Sequence, residues 1–411
     1  MFLVKRDNFK KTYIIKGLIT ALFFSAFIYL AYFNIESKIL NTILGLVSLY
    51  LILKIDRKSL FTTGFFIGIF WFYWVGNSFE YYDLSSISFL VPIGFALGYG
   101  LIFLIIGISN FTIYRAFILL ILSFIHPLGF NWFIPELVFI NSYFETSKIA
   151  FALILLALII FIELPKRFKI LSILPLFFVY SNVGLYIDNP KNLAISIPQL
   201  NINQGQKWIK NNLSVSIENN LNLIDKAIDE NKDLIILPET AFPLVLNKEN
   251  FLLSKLINRS FDINIITGAL YKEKNNFYNA SYHISNGKIE IAKKVVLVPF
   301  GEEIPFPKFI TDFINKIFFD GAQDYQKAKK PTDFVVNGIK FRNAICYEAT
   351  SDEIFQNLNG VKYMIAISNN AWFTPSIEPT LQKLLLQYYA RKYKITIFHS
   401  VNGSENTIIR Y

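Results

Sequence analysis

The chain has 411 residues, 53% of them apolar, 17% aromatic and only 17% charged, with a mean hydropathy of +0.41 and a net charge of +10. Soluble domains carry about 25% charged residues, so a chain this apolar sets part of its surface against lipid. The single cysteine, Cys346, excludes an internal disulfide framework and every multi-cysteine metal site.

Residues 1–187 hold only 14 of the 40 Lys and Arg, separated by long uncharged runs. Gly17–Ile35, Leu60–Phe79 and Ser86–Ile108 are each long enough to cross a ~30 Å hydrocarbon core as helices. Ile39–Leu53, Phe111–Ile125, Ile149–Leu164 and Ile170–Ile187 are shorter or flanked runs that join them, which predicts a polytopic bundle of about seven helices. No cleavage site of the A-x-A kind follows the first run, so it reads as a retained helix.

Basic residues mark the orientation. Lys5, Arg6, Lys10, Lys11 and Lys16, then Lys54, Arg57 and Lys58, then Arg115, then Lys166, Arg167 and Lys169 fall at alternate ends of the runs. The opposite side holds only Lys38 and Lys148, beside Glu36, Glu80, Asp83, Glu136 and Glu145. The positive-inside rule then places the N-terminus in the cytoplasm, and seven crossings bring residue 188 outside. Sorting by side, instead of gathering in one stripe, also argues against a nucleic-acid partner. The expected domains are 1–187 in the membrane and 188–411 exported.

The exported part reads as α/β. Short apolar strands are expected at Ala194–Ile197, Leu234–Leu237, Asn264–Thr267, Phe341–Ile345, Tyr363–Ile367 and Ile395–Phe398, alternating with helical stretches such as Ile217–Asn231 and Leu381–Lys394. A layered sheet with flanking helices fits this order. Three candidate groups stand where strands end: Glu239 closes Leu-Ile-Ile-Leu-Pro-Glu, Lys294 precedes Val-Val-Leu-Val-Pro-Phe-Gly-Glu, and Cys346 closes Phe-Arg-Asn-Ala-Ile-Cys. A carboxylate can take a thiol's proton and an ammonium can hold the charge on an attacked carbonyl oxygen, which together suit acyl transfer. Taken singly, Cys346 also reads as a buried hydrophobe and Glu239 with Lys294 as a solvated pair. His126, His283 and His399 show no metal-ligand spacing and read as structural or surface residues.

These segments resemble the nitrilase superfamily, whose Glu, Lys and Cys act on an αββα sandwich. More narrowly, the chain resembles the apolipoprotein N-acyltransferase family, bacterial enzymes that place a nitrilase-like domain on a membrane bundle. The resemblance runs through Ile-Pro-Gln and Gln-Lys-Trp208, Leu-Pro-Glu239-Thr-Ala, Leu-Val-Pro-Phe-Gly-Glu302, Ile-Cys346-Tyr-Glu348 and Ser-Asn-Asn-Ala-Trp372-Phe. It implies Glu239 as general base, Lys294 as oxyanion donor with the Tyr347 backbone N–H, and Cys346 as nucleophile. It further implies Glu302 and Glu348 as accessory carboxylates, Trp208 and Trp372 near the pocket, and no metal or organic cofactor. The implied partners are a phospholipid acyl donor, a diacylglyceryl apolipoprotein acceptor and the bilayer, for a monomer in the bacterial inner membrane with its catalytic domain on the periplasmic side. Thr374 and Pro375 stand where the family continues with glycine, and Leu381-Gln382 where it has Gln-His. The family also adds strands and a last transmembrane helix, for which no hydrophobic run remains before Tyr411.

Between Glu302 and Tyr325, Phe309, Ile310, Phe313, Ile314, Ile317 and Phe318 recur at helical spacing behind Pro305 and Pro307. This pattern predicts a short amphipathic helix, either covering the sandwich core or lying in the membrane–water interface as a flap that guides an acyl chain, with Phe313 and Phe318 in contact with substrate. A membrane-tethered amidase shares the same three groups without needing lipid, and a non-catalytic membrane scaffold is the remaining alternative.

Overall fold

The computed structural model describes residues 10–82, 85–181, 190, 193–299, 301–303 and 325–411. Taken over its described residues, the chain falls into two compact units. One comprises Met1–His126, Phe133–Gly184 and Pro375–Leu384, and the other Pro127–Trp132, Leu185–Thr374 and Leu385–Tyr411. The boundary expected between residues 187 and 188 lies outside the described residues, as does the whole of the amphipathic pattern that contains Phe313 and Phe318.

The first unit is built from helices α1 (Lys11–Tyr32), α2 (Lys38–Lys54), α3 (Arg57–Phe72), α4 (Leu90–Ile106), α5 (Thr112–Leu122), α6 (Lys148–Glu163) and α7 (Ile173–Val179). Polar caps fix where several begin: Ser37, Asp56 and Ser147 accept from the backbone N–H of Leu40, Ser59 and Ala150. Gly64 and Gly68 are four residues apart on α3 and let it lie directly on α4. A Cβ at either would stand 2.2 Å from the Tyr99 carbonyl oxygen or 2.5 Å from that of Phe95. This small-xxx-small contact is how helices associate where the solvent is as apolar as leucine. The outward faces are apolar too, with Leu97, Leu101 and Ile105 on α4 between 47% and 58% exposed, a stripe that water would not tolerate. Two helical stretches, Lys11–Tyr32 and Arg57–Tyr81, have the length and hydropathy of membrane spans, while α4 and α5 are shorter apolar helices.

The second unit holds two sheets. The first has the order β1 (Ile195–Ser196), β2 (Leu234–Ile236), β4 (Asn264–Glu273), β5 (Asn276–Ser285), β6 (Lys288–Lys293), with β3 (Phe242–Val245) also pairing with β4. The second has the order β11 (Thr407–Ile409), β10 (Thr396–Asn402), β9 (Tyr363–Asn369), β8 (Ile339–Ile345), β7 (Asp333–Val336). The sheets face each other: Leu234, Ile236 and Ile266 of the first cluster with Phe341, Ile345, Ile365, Ile367 and Phe398 of the second. On its other face the first sheet sends Ile235, Leu237 and Ile265 against Leu221 and Ile224 of α9 (Lys210–Asp229) and Leu252 and Leu256 of α10 (Asn250–Arg259). Leu234–Leu237 is thus buried on both faces, which explains why it reads as an unbroken apolar run instead of an alternating one. Helix α11 (Glu378–Tyr393) connects the parallel strands β9 and β10.

The six expected strands are present. The antiparallel hairpin β5–β6 that extends the first sheet was not anticipated, because Asn-Phe-Tyr-Asn-Ala-Ser-Tyr-His-Ile-Ser is too polar to register as a buried strand. Its burial is tertiary in origin: Ala280, Tyr282 and Ile284 enter the helix-side core, while Asn279, Ser281 and His283 are buried polar positions.

Candidate active site

Strand direction brings the candidate groups to common edges. β2 runs parallel to β4, and β6 runs antiparallel to β5, itself antiparallel to β4, so β2 and β6 share a direction. Their C-terminal ends leave the first sheet on the same edge, delivering Glu239 after β2 and Lys294 directly after β6. In the second sheet Cys346 directly follows β8, and Trp372 closes the short turn after β9, which is parallel to β8.

Cys346 is half-buried and adopts φ +55°, a left-handed conformation that a non-glycine residue occupies at a cost of about 1–3 kcal/mol. The helical turn Cys346–Thr350 starts there. Glu348, 1% exposed, holds that turn in place. Its Oε1 accepts from Ile345 N–H at 2.7 Å and its Oε2 from Val295 and Val296 N–H at 2.6 and 3.2 Å. One carboxylate thereby fastens the residue before the cysteine to the residues after Lys294. Burial raises the Glu348 pKa to about 7, against the pull of those N–H donors and the Lys294 charge.

Lys294 is completely buried, with Nζ 2.6 Å from Glu302 Oε2. Burial acts to lower its pKa, but the charges of Glu302, Glu239 and Cys346 outweigh it and hold the amine above the ordinary lysine value, fully protonated. At that distance the ion pair with Glu302 occupies one of the ammonium's three donors.

Asn279 of β5 joins the two carboxylates. Its Nδ2 donates to Glu239 Oε1 at 2.7 Å and to Glu302 Oε1 at 3.0 Å, while its main-chain oxygen accepts from the main-chain N–H of Lys294 at 2.9 Å. Glu302 is further held by Val298 N–H at 2.9 Å. Glu239 sits beside Thr240, another non-glycine residue at positive φ (+46°), and the Lys207 ammonium donates to the Glu239 main-chain oxygen at 3.2 Å. The structure thus brings Glu239, Lys294, Glu302, Cys346 and Glu348 into one neighbourhood. Asn279 and Lys207 were not singled out from sequence. Asn279 left no signal there, and Lys207 stood only as a neighbour of Trp208 in a matching block.

Tyr347 is buried behind the cysteine. Its hydroxyl donates to Gly129 O at 2.8 Å and accepts from Asn131 N–H at 3.0 Å, and Trp132 Nε1 donates to Thr350 Oγ1 at 2.8 Å. Segment 127–132 therefore braces the turn that carries Cys346, which its position between apolar runs did not suggest. Trp208 lies at the end of the short helix α8 (Gln204–Lys207), 47% exposed, and Trp372 is half-buried. Among the described residues Trp208 makes no hydrogen bond or ring contact with Glu239, Lys294 or Cys346. Among those residues no group of three His, Cys, Asp or Glu side chains is arranged to hold a metal ion.

Residues 11–182 match the family model of the apolipoprotein N-acyltransferase integral membrane domain, and residues 195–395 that of carbon-nitrogen hydrolase. An apolipoprotein N-acyltransferase of Wolinella succinogenes is 45% identical over 396 residues, covering 96% of this chain and 95% of its own. Enzymes of the same name from Campylobacter jejuni and Helicobacter pylori are 37% and 38% identical, covering 96% and 90% of this chain and 89% and 87% of theirs.

Proposed function

The chain belongs to the apolipoprotein N-acyltransferase family, and on that footing we propose that Cys346 takes an acyl chain from a phospholipid as a thioester and passes it to the free α-amine of a lipoprotein's diacylglyceryl-cysteine. Its membrane domain suits a lipid donor and a lipid-anchored acceptor in the bacterial inner membrane. In this reading seven helices cross that membrane, the N-terminus is cytoplasmic, and the monomer presents the unit bearing Cys346 to the periplasm. The basic residues sorted to alternate ends of the apolar runs support that orientation.

The buried ammonium carries the proposal. Lys294 is an obligate cation adjoining two carboxylates and the sole thiol, an expensive arrangement that acyl transfer uses at every step. Glu239 takes the Cys346 proton, and the thiolate attacks the donor's ester carbonyl. Lys294 Nζ and the Tyr347 N–H hold the oxyanion, and its collapse releases the lysophospholipid oxygen, which recovers the proton from Glu239. The acceptor amine then attacks the thioester, Glu239 takes the amine's proton, and the Cys346 sulfur leaves to be reprotonated. Glu302 keeps Lys294 in place and Glu348 fixes the cysteine turn relative to it. Trp208, Trp372, Phe313 and Phe318 are proposed to line the acyl route, the last two on their sequence pattern.

Transfer from phospholipid to a diacylglyceryl-cysteine peptide tests this. Cys346→Ala and Cys346→Ser should both be inactive while remaining folded, since an alkoxide is far harder to form than a thiolate. Lys294→Arg should lose roughly 10²-fold or more, because a planar fork cannot replace a compact ammonium in a fully buried site. Near-normal transfer by either cysteine variant overturns the assignment.

A further inference from the structure

The geometry points to Lys207 as a positioning residue for Glu239, one that touches neither substrate nor the reacting sulfur and sets the direction and charge environment of the base. This rests on the reading of Glu239 as the group that deprotonates Cys346.

Lys207 is 1% exposed, and no carboxylate forms an ion pair with it among the described residues. Its one hydrogen bond there is to the Glu239 main-chain oxygen. Burying a cation without a paired anion is costly, and here burial lowers the amine's pKa to about 8, while the Glu239 charge pulls it back up. A leucine or methionine would fill the same volume at less cost.

The lysine is set rigidly. Asn203 caps α8 by accepting from Gly205 N–H at 2.9 Å. Gln204 Oε1 accepts from Asn369 Nδ2 at 2.8 Å, and Asn369 Oδ1 accepts from Asn402 Nδ2 at 2.8 Å. Asn402 in turn bonds both the N–H and the carbonyl of Ile202. This buried amide chain ties α8 to β9 and β10, so the Lys207 ammonium is delivered from a fixed base.

The Glu239 turn needs such a hold. Thr240 beside it is at φ +46°, a conformation that persists only where surroundings over-determine it. The backbone of Gly268 presses on the turn from one direction, and Asn220 Nδ2 secures the Ala241 carbonyl, two residues past Glu239, at 2.7 Å. Lys207 supplies the corresponding hold on the Glu239 carbonyl, which leaves the carboxylate directed at Asn279. The charged groups that face Glu239 are Lys207 from α8 and Lys294 from the end of β6, with Glu302 across Asn279 and Cys346 within electrostatic reach of the same lysine.

Because Cys346 is the sole thiol, iodoacetamide alkylation of the intact protein reads one group without any lipid. Wild-type Cys346 should alkylate faster than an ordinary thiol. Lys207→Met, close in volume and free of a buried charge, should stay folded and slow alkylation and thioester formation from phospholipid by roughly tenfold or more, part of the 10²–10⁴-fold a general base contributes. KM for the donor should stay within about twofold. The step that the wild-type alkylation profile takes near pH 8, where the Lys207 ammonium loses its charge, should be missing from Lys207→Met. Lys207→Gln, which retains a donor without charge, should lack the same step with a smaller loss of rate. If wild-type Cys346 reacts like an ordinary thiol, the reading of Glu239 as base fails. If it reacts fast and Lys207→Met matches it in rate and pH profile, the assignment of Lys207 alone is overturned.

Discussion

At the scale of single residues, Glu348 shows how an ionisable group can be structural and still pH-sensitive. Its carboxyl holds a proton more tightly in the fold than in the unfolded chain, because burial outweighs its three N–H donors. A raised folded pKa contributes stability that is complete below the unfolded value of about 4.5 and lost as pH rises through about 7. The melting temperature of wild type is therefore expected to fall across that window more than that of Glu348→Gln. The glutamine's amide nitrogen cannot accept, so one side of the clamp opens, and thioester formation should slow by about tenfold. Identical melting profiles for the two proteins would contradict this. Glu239, Lys294, Glu302, Cys346 and Glu348 were all legible because each stands at the end of an apolar run or in the tight block beside one. Asn279 and Lys207 were not. Their importance comes from burial beside groups far away in sequence, and an asparagine in a polar strand or a lysine before an exposed tryptophan gives no local sign of that.

At the scale of elements, the Glu239 turn depends on how closely β4 passes behind it. A Cβ at Gly268 would lie 2.5 Å from Thr240 N, 2.7 Å from Glu239 Cα and 2.9 Å from Pro238 O, all backbone atoms that cannot rotate away. Gly268→Ala should displace the turn and reduce acyl transfer by tenfold or more, a 1 Å error at the base costing on the order of 10²-fold. Gly94→Ala on α4, where a Cβ meets nothing within 4 Å, should leave the rate unchanged and add a little helix stability. Equal rates for Gly268→Ala and wild type would show that the turn tolerates displacement. The strands that carry the site were readable because β2 and β9 are mainly apolar runs buried on both faces, and β8 and β10 carry enough apolar residues among their buried polar ones to stand out. The β5–β6 hairpin was not, since Asn279, Tyr282 and His283 owe their burial to partners on other strands and on the site itself.

At the scale of the whole molecule, the division of the sequence into an apolar, charge-poor part and a mixed α/β part is visible in composition alone, and the two family models fall on either side of it. The proposed orientation is testable in a Cys346→Ser background. Glu80→Cys should react with an impermeant maleimide added outside intact inner-membrane vesicles of periplasm-out orientation, and Lys54→Cys only after permeabilisation. The reverse pattern would invert the topology. The central claim is that Cys346 carries the acyl group between donor and acceptor, and the intact mass of the purified protein after incubation with phospholipid tests it most directly. Wild type should gain the mass of one acyl chain, lose it on addition of a diacylglyceryl-cysteine peptide but not of its N-acetylated form, and Cys346→Ala should gain nothing. An acyl adduct of equal yield on Cys346→Ala, or a wild-type adduct that the free amine cannot discharge, would contradict it.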